Sequence, residues 1–295
     1  MKGRAALWVV AATLALAAML SRAEVRVVDD TGAVITLATP AQRIVSLAPH
    51  ATELLIAAGA GSRIVGTVAA WNGAPDARGI PNVGDARTLD LERIVALAPD
   101  LIVTWPYTVA AQVETLAARG AAVFVTNPIT IDGIATDIER LGTLAGTETQ
   151  AQAAAAGFRE RVARLRARHP AAPPIRVFYQ VWNAPMYTIG GRHLVSEAIR
   201  VCGGENIFAA LALPAPGVSV EAVLAAQPGA IIAGGDGGSR PAWLDDWKRW
   251  TTVPAVANGA LFTVNADLLH RPGPRFVDGV EELCAALDKA RRKAR

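Results

Sequence analysis

Along the chain the apolar residues alternate between a period of two and a period near three and a half. "VRVVDDTGAVITL" sets alternating β-branched residues on either side of Asp30-Thr31-Gly32, which predicts an N-terminal hairpin. "RIVSLAP" reads as a buried strand, and "ATELLIAAG" as a helix that Gly59 stops. A strand-like "IVGTVA" follows. Next come a helical "LERIVALAP", the strand "DLIVTW", the helix "AAQVETLAARG" and the strand "AAVFVTN" before Pro128. Strands alternating with short helices predict a mostly parallel α/β layer.

From Thr147 the period becomes purely helical. Thr147 and Gln150 make a capping-box pattern. Ala151, Ala154, Ala155, Phe158, Val162 and Leu165 share one face, arginines crowd the C-terminal half where they suit the helix dipole, and Pro170 ends the run. At 1.5 Å per residue this is one helix of about 30 Å. His169 closes it as a dipole-complementing cap. After Pro174 the alternation restarts with "IRVFYQV", a helix around "HLVSEAIRVCGG", the strands "GAIIAGG" and "GALFTVN", and a final helix from Arg275. The expected architecture is α/β: two similar lobes, residues 24–146 and 170–295, joined by a single long helix over 147–169, with a ligand cleft between the lobes.

One device occurs once per lobe. "LERIVALAPDLIVTW" and "VEAVLAAQPGAIIAG" each place a Glu seven residues before a Pro, Glu92 before Pro99 and Glu221 before Pro228. An internal duplication accounts for the repeat. It does not account for the shared feature being a charge.

Composition changes this picture at the N-terminus. Lys2 and Arg4, the apolar run "ALWVVAATLALAAML" and the small-residue end at Ser21–Ala23 read as a cleaved signal peptide over residues 1–23, with the mature chain exported. The alternative, a membrane anchor, has an apolar run shorter than the ~20 residues a span needs. Removing three basic residues takes the formal +3 to zero, so nothing in the mature chain suggests a nucleic-acid partner. Cys202 and Cys284 are the two cysteines. In an oxidising compartment such a pair reads as a disulfide, and in the cytosol as two buried thiols.

Enzyme signatures are absent: no G-x-S-x-G, no phosphate-cradling G-x-x-x-x-G-K, no complete G-x-G-x-x-G between strand and helix. A secreted α/β enzyme is the reading from another class, and no nucleophile–base pair supports it. "GGDGGS" from Gly234 reads as a loop at a strand end, whose Gly234 and Gly235 would let a ligand approach the backbone. His50, His169, His193 and His270 are too scattered for a dedicated metal site. His50 and His270 do lie at predicted strand ends, where α/β folds place ligand residues, although a capping role is as good a reading for each. Trp71, Trp105, Tyr107, Trp182 and Tyr187 also fall at strand ends or in the loops leaving them, and either wall a cleft or pack the lobes together. Trp243, Trp247 and Trp250, at i, i+4 and i+7 on one helix face, read as core packing or a lobe edge.

"RIVSLAPHATELLIAAGAGSRIVG", "LDLERIVALAPDLIVTW", "VCGGENIF" and "ELCAAL" together resemble the periplasmic cobalamin (vitamin B12)-binding proteins of ABC importers. These belong to the long-helix class of substrate-binding proteins that also carries haem, ferric siderophores and metal ions. The likeness covers nearly all of the mature chain. It implies a periplasmic carrier without catalysis or cofactor, acting as a monomer, whose transported ligand is cobalamin or another corrinoid. Glu92 and Glu221 would dock on an inner-membrane permease, one acid per lobe. Cys202 and Cys284 would form the family's disulfide. Trp105, Tyr187 and Asp267 would contact ligand, with His270 and Arg271 on a contacting loop. The family pattern is departed from at Ala86, Ala215 and Leu268, where aromatics are expected, and at Ala70, unless Trp71 replaces that Tyr. A haem or ferric-siderophore carrier of the same class is therefore the alternative reading.

Overall fold

The structure, a computed structural model, describes residues 24–68, 79–85, 88–169 and 174–294. The expected signal peptide, Ala70, Trp71, Ala86 and Pro170 lie outside the described residues. Strand β1 (Val25–Val28) pairs antiparallel with β2 (Val34–Leu37), Val28 opposite Val34, as the alternation predicts. The turn carboxylates have a second use: Asp29 Oδ2 accepts the Val125 amide at 3.1 Å and Asp30 Oδ2 the Asn127 amide at 2.5 Å. They satisfy amides on the open edge of a sheet, where unpaired donors would otherwise remain.

That sheet belongs to the first lobe. Its elements in chain order are β3 (Ile44–Ser46), α1 (Pro49–Ala57), β4 (Ile64–Thr67), α2 (Leu91–Ala96), β5 (Leu101–Thr104), α3 (Ala110–Ala117), β6 (Ala122–Val125) and α4 (Ile131–Ala145). The strands are all parallel in the order β4-β3-β5-β6. Helices on both faces explain the unbroken apolar runs, and all four residues of β5 are buried. Helix α5 (Glu148–Ala167) then leads to the second lobe. There β7 (Ile175–Gln180), α6 (Leu194–Val201), β8 (Gly204–Asn206), α7 (Val220–Ala226), β9 (Ala230–Gly235), α8 (Pro254–Ala257), β10 (Leu261–Asn265), α9 (Ala266–Leu269) and α10 (Phe276–Lys293) follow. This sheet is also parallel, in the order β8-β7-β9-β10. Both sheets place their second strand outside the first, then the third and fourth on the other side. The lobes are two copies of one topology, and one apolar core runs through both by way of Phe158, Val162 and Leu165 of α5.

Two local expectations need correction, and two elements were not expected. Helix α4 is absent from the expected elements although its sequence signals it: Ile131, Ile134, Ile138, Leu141 and Ala145 keep helical spacing, Thr130 caps the start by accepting from the Gly133 amide, and Gly146 ends it in the left-handed region. Packing explains the glycine within it: a Cβ on Gly142 would sit 2.2 Å from the Ala151 Cβ, so glycine lets α4 and α5 approach closely. Strand β8, "GEN", has no apolar pattern and exists through its pairing with β7. No capping box forms at Thr147, because its hydroxyl donates instead to the Ala58 carbonyl at 2.6 Å, tying α5 to the end of α1. Trp243, Trp247 and Trp250 lie on and just after a 3₁₀ segment, Ala242–Arg249, so helical spacing does not put them on one face. Trp247 is core and donates to Gln180 Oε1 at 2.7 Å, whereas Trp250 remains 36 % exposed.

Cys202 and Cys284 are joined in a disulfide between the end of α6 and α10. Helix α6 runs antiparallel to β8, so the bond lies at the amino ends of the strands. Beside it, Arg291 donates to the carbonyls of Cys202 (2.5 Å) and Gly203 (2.7 Å), and His169 bonds Leu165 O (3.2 Å) and Asp288 (3.0 Å). The expected cap of the long helix is therefore also a tie to α10.

Candidate functional site

In both sheets the strands are parallel and each intervening helix runs back against them. The carboxyl ends of the strands and the amino ends of the helices thus share one face in each lobe, which is where open α/β sheets bind ligands. These two faces front each other. The Cβ position of Gly273, beyond β10, lies 3.6 Å from His50 Cβ, beyond β3, and Arg275 bonds Glu53 of α1 at 2.6 Å.

The first-lobe wall is aromatic. Trp105, directly after β5, makes edge contacts with His50 (ring centroids 4.9 Å apart) and Tyr107 (4.7 Å). Tyr107 is 69 % exposed, an unfavourable place for a large ring with nothing to cover it. His50 is buried, and its Nε2 has no hydrogen-bond partner. Desolvation first, and then the nearby Arg271 cation, push its pKa down to about 4, so the ring is neutral at ordinary pH.

The second-lobe wall comes from the loop after β7 and the segments after β9 and β10. Trp182 (58 % exposed) and Tyr187 (39 %) are bridged across the loop through a cis Ala184-Pro185 bond, and the indole donates to Ala184 O at 3.2 Å. Tyr187 also bridges Gly217, which brings the strip carrying Leu213 and Ala215 alongside. Asp267 lies in the first turn of α9, where Asn265 is the cap. It accepts from Arg271 at 2.8 Å and from the Gly237 amide at 3.3 Å, so the acid holds both neighbouring loops. His270 bonds the hydroxyl of the fully buried Tyr179 at 2.9 Å, and burial, reinforced by His193, lowers its pKa to about 4 against the pull of Asp267. His193 itself caps α6, accepting from the Val195 amide at 3.1 Å.

The glycines Gly234 and Gly235 are required by the protein's own packing. A Cβ on Gly234 would meet His270 at 2.9 Å, and one on Gly235 the Ser239 carbonyl at 1.8 Å. The following residues form a 3₁₀ turn, Asp236–Gly238, with Gly237 at φ 58°. Leu268, where an aromatic is expected, backs onto Gly279 of α10.

The repeated device has the same geometry in both lobes. Glu92 and Glu221 each occupy the second position of their helix, α2 or α7, and both are exposed. Asp90 caps the first (2.9 Å to Arg93 N) and Ser219 the second (3.2 Å to Ala222 N). Each helix ends in a left-handed residue immediately before the proline, Ala98 (φ 44°) or Gln227 (φ 46°). The exposed Glu221 has its pKa lowered by a hydrogen bond from its own backbone amide and by Ser219.

The profile of the periplasmic binding protein family matches residues 44–268. The chain belongs to that family. It is similar to the vitamin B12-binding protein of Vibrio parahaemolyticus, 35 % identical over 258 residues, 86 % of this chain and 92 % of that protein. A vitamin B12-binding protein of Yersinia pestis is 36 % identical over 252 residues, 84 % of this chain and 86 % of the relative. Among solved structures, the periplasmic vitamin B12 binding protein of Vibrio cholerae superposes with a TM-score of 0.74 at 35 % identity, covering 85 % of this chain and 98 % of that one. Within this family, the sequence singled out residues from both walls, Trp105 and Tyr107 on one and Tyr187, Asp267, His270 and Arg271 on the other. It missed Glu53 and Arg275, which pair across the two walls. No local pattern marks them, because Glu53 and its partner lie 222 residues apart.

Proposed function

We propose that this protein is the periplasmic substrate-binding protein of an ABC importer, and that it takes cobalamin or a related corrinoid between its lobes and delivers it to the inner-membrane permease. It performs no chemistry on the ligand and works as a monomer, exported by the signal-like segment 1–23. The observation that carries this reading is the 35 % identity along 86 % of the chain to a protein named for vitamin B12 binding. Trp105, Tyr107 and Tyr187 support it, as exposed or half-exposed rings on facing walls that suit a large macrocycle. Trp71, Gly234 and Gly235 are assigned to the same set from the sequence alone, and His50, Asp267, His270 and Arg271 are assigned to it as residues at the facing strand ends. A haem carrier would need an axial ligand. His270 already spends its Nε2 on Tyr179, and His50 is buried in edge contact with Trp105.

Titration of the mature protein with cyanocobalamin, followed by tryptophan fluorescence, tests the reading, with haemin in parallel. One-to-one binding of cyanocobalamin in the micromolar range or tighter is expected. Binding of haemin alone would overturn the corrinoid assignment and keep the carrier role.

Glu92 and Glu221 are the proposed permease contacts, one from each lobe. Changing both to Ala is expected to leave cyanocobalamin affinity within about twofold. Isolated exposed charges contribute little to stability, while fixed pairs orient and speed encounter. Ligand uptake into vesicles carrying the cognate permease is expected to fall about tenfold or more, and unchanged uptake would refute the role.

A further inference from the structure

Among the described residues, two contacts between the lobes correspond under the internal repeat. In each lobe the first strand leads into a helix, β3 into α1 and β7 into α6, and that helix carries a glutamate, Glu53 or Glu197. Each glutamate leaves its own lobe and reaches the segment following the last strand of the other. Glu53, 7 % exposed, holds Arg275 at 2.6 Å, between β10 and α10. Glu197 Oε2 accepts the Ile131 amide at 2.7 Å, at the start of α4 beyond β6. One contact is an ion pair whose glutamate is buried and whose arginine is partly exposed. The other sets a carboxylate on a helix amino terminus, where both the free amide and the dipole favour it.

The long helix runs between the two contacts. Arg159 of α5 bonds Asp132, next to Ile131, at 2.6 Å, and Arg166 lies 4.0 Å from Glu197. Arg161 bonds Asp278 at 2.6 Å, three residues past Arg275. At 3.6 residues per turn, positions 159 and 166 are about 20° apart around the helix, and position 161 is about 200° from 159. The two contacts therefore flank α5 on opposite sides. A single connecting helix leaves the lobes free to twist about it and to open by bending. Contacts on both flanks oppose both motions.

We infer that Glu53 and Glu197 are positioning residues, a quasi-symmetric pair of clasps that fixes the separation of the lobes and so the rate at which a bound ligand escapes. Glu53 acts through the segment carrying Asp267, His270 and Arg271, and Glu197 through the start of α4. The clasps hold the protein with or without ligand, so they stand apart from the corrinoid reading.

The test places spin labels on the exposed positions Arg119→Cys and Arg249→Cys, one per lobe, and measures their distance distribution in the ligand-free chain. Glu53→Gln, Glu197→Gln and the double variant are compared with Glu160→Gln, which only breaks the Arg164 pair within α5. Each clasp variant is expected to broaden the distribution, the double variant most, with Glu160→Gln unchanged. In stopped flow with cyanocobalamin, dissociation is expected to quicken about tenfold per clasp while association changes less than threefold, because losing a desolvated charged contact acts on escape. Parent-like distributions in both single variants would overturn the inference, whatever the ligand result. If Glu53→Gln does not fold, Glu197→Gln, on a side chain 23 % exposed, decides the matter alone. A parent chain that binds no cyanocobalamin would refute the corrinoid reading, and the distance measurement alone would then decide for or against the clasps.

Discussion

Changing Cys202 and Cys284 together to Ala is expected to lower the melting temperature by roughly 10–15 °C while leaving ligand affinity within about twofold. The bond spans a sequence separation of 82 residues. In the chain-entropy account, closing a loop of that size costs the unfolded chain about 4.5 kcal/mol, and a chain of this length shifts by about 2–4 °C per kcal/mol. The loop encloses β8, β9 and β10, so most of the second lobe's sheet is affected. Both sulfurs are buried, Cys202 completely, which leaves alanine in a small void and adds to the loss. Affinity is expected to hold because the bond lies at the amino ends of the strands, across the lobe from the aromatic walls. Calorimetry of the parent and the double variant settles this. A difference under about 3 °C would mean that packing of α6 against α10 suffices without the bond.

The second large effect concerns pH. Asp137 is fully buried on α4 and accepts from the Thr126 hydroxyl at 2.6 Å and from Arg140 at 3.1 Å. The same guanidinium holds Asp30 at 2.7 Å. Burial, followed by the Asp30 charge, pushes the Asp137 carboxyl up to about 7, against the pull of Thr126 and Arg140. A folded pKa above the unfolded one means that the native chain binds the extra proton. This contribution is full below about pH 4 and is lost as pH rises through about 7. Across that window it amounts to roughly 2–4 kcal/mol. Asp137→Asn, which cannot titrate, is expected to abolish this share of the slope, so that the variant gains on the parent as pH rises. Urea denaturation from pH 4.5 to 8 reads it directly, and parallel curves for the two proteins would sink the assignment. The group matters because Asp29 and Asp30 fasten the N-terminal hairpin to the edge of the first sheet.

Much of the fold was legible because its signals are local. The alternation in "VRVVDDTGAVITL", the buried runs before Pro128 and after Pro174, and the one-sided apolar stripe of α5 each follow from a backbone period and a burial requirement that act within a dozen residues. The repeated Glu-to-Pro device is likewise written in sequence, and its two copies fold alike down to the left-handed residue before each proline. Helix α4 is written in local signals too, its apolar spacing, Thr130 and Gly146; only the reason for Gly142 waits for Ala151 to pack against it. Strand β8 was hidden because only its partner makes it a strand.

The candidate site divides the same way. Aromatics at strand ends are visible in sequence, since the end of a parallel strand is a predictable place. The reason for Gly234 is not, because it lies in the ring of His270, a residue 36 positions later. Nor could sequence pair Glu53 with Arg275 or Glu197 with Ile131, since a charge carries no record of a partner 222 or 66 residues away. The sequence by itself determined two similar lobes, a long helix, an acid at the front of each repeat and the residue types of the walls, because periodicity and turn chemistry are short-range. Tertiary structure alone decided which walls face each other and what holds them there, because those contacts exist only once two distant segments have folded onto the same helix.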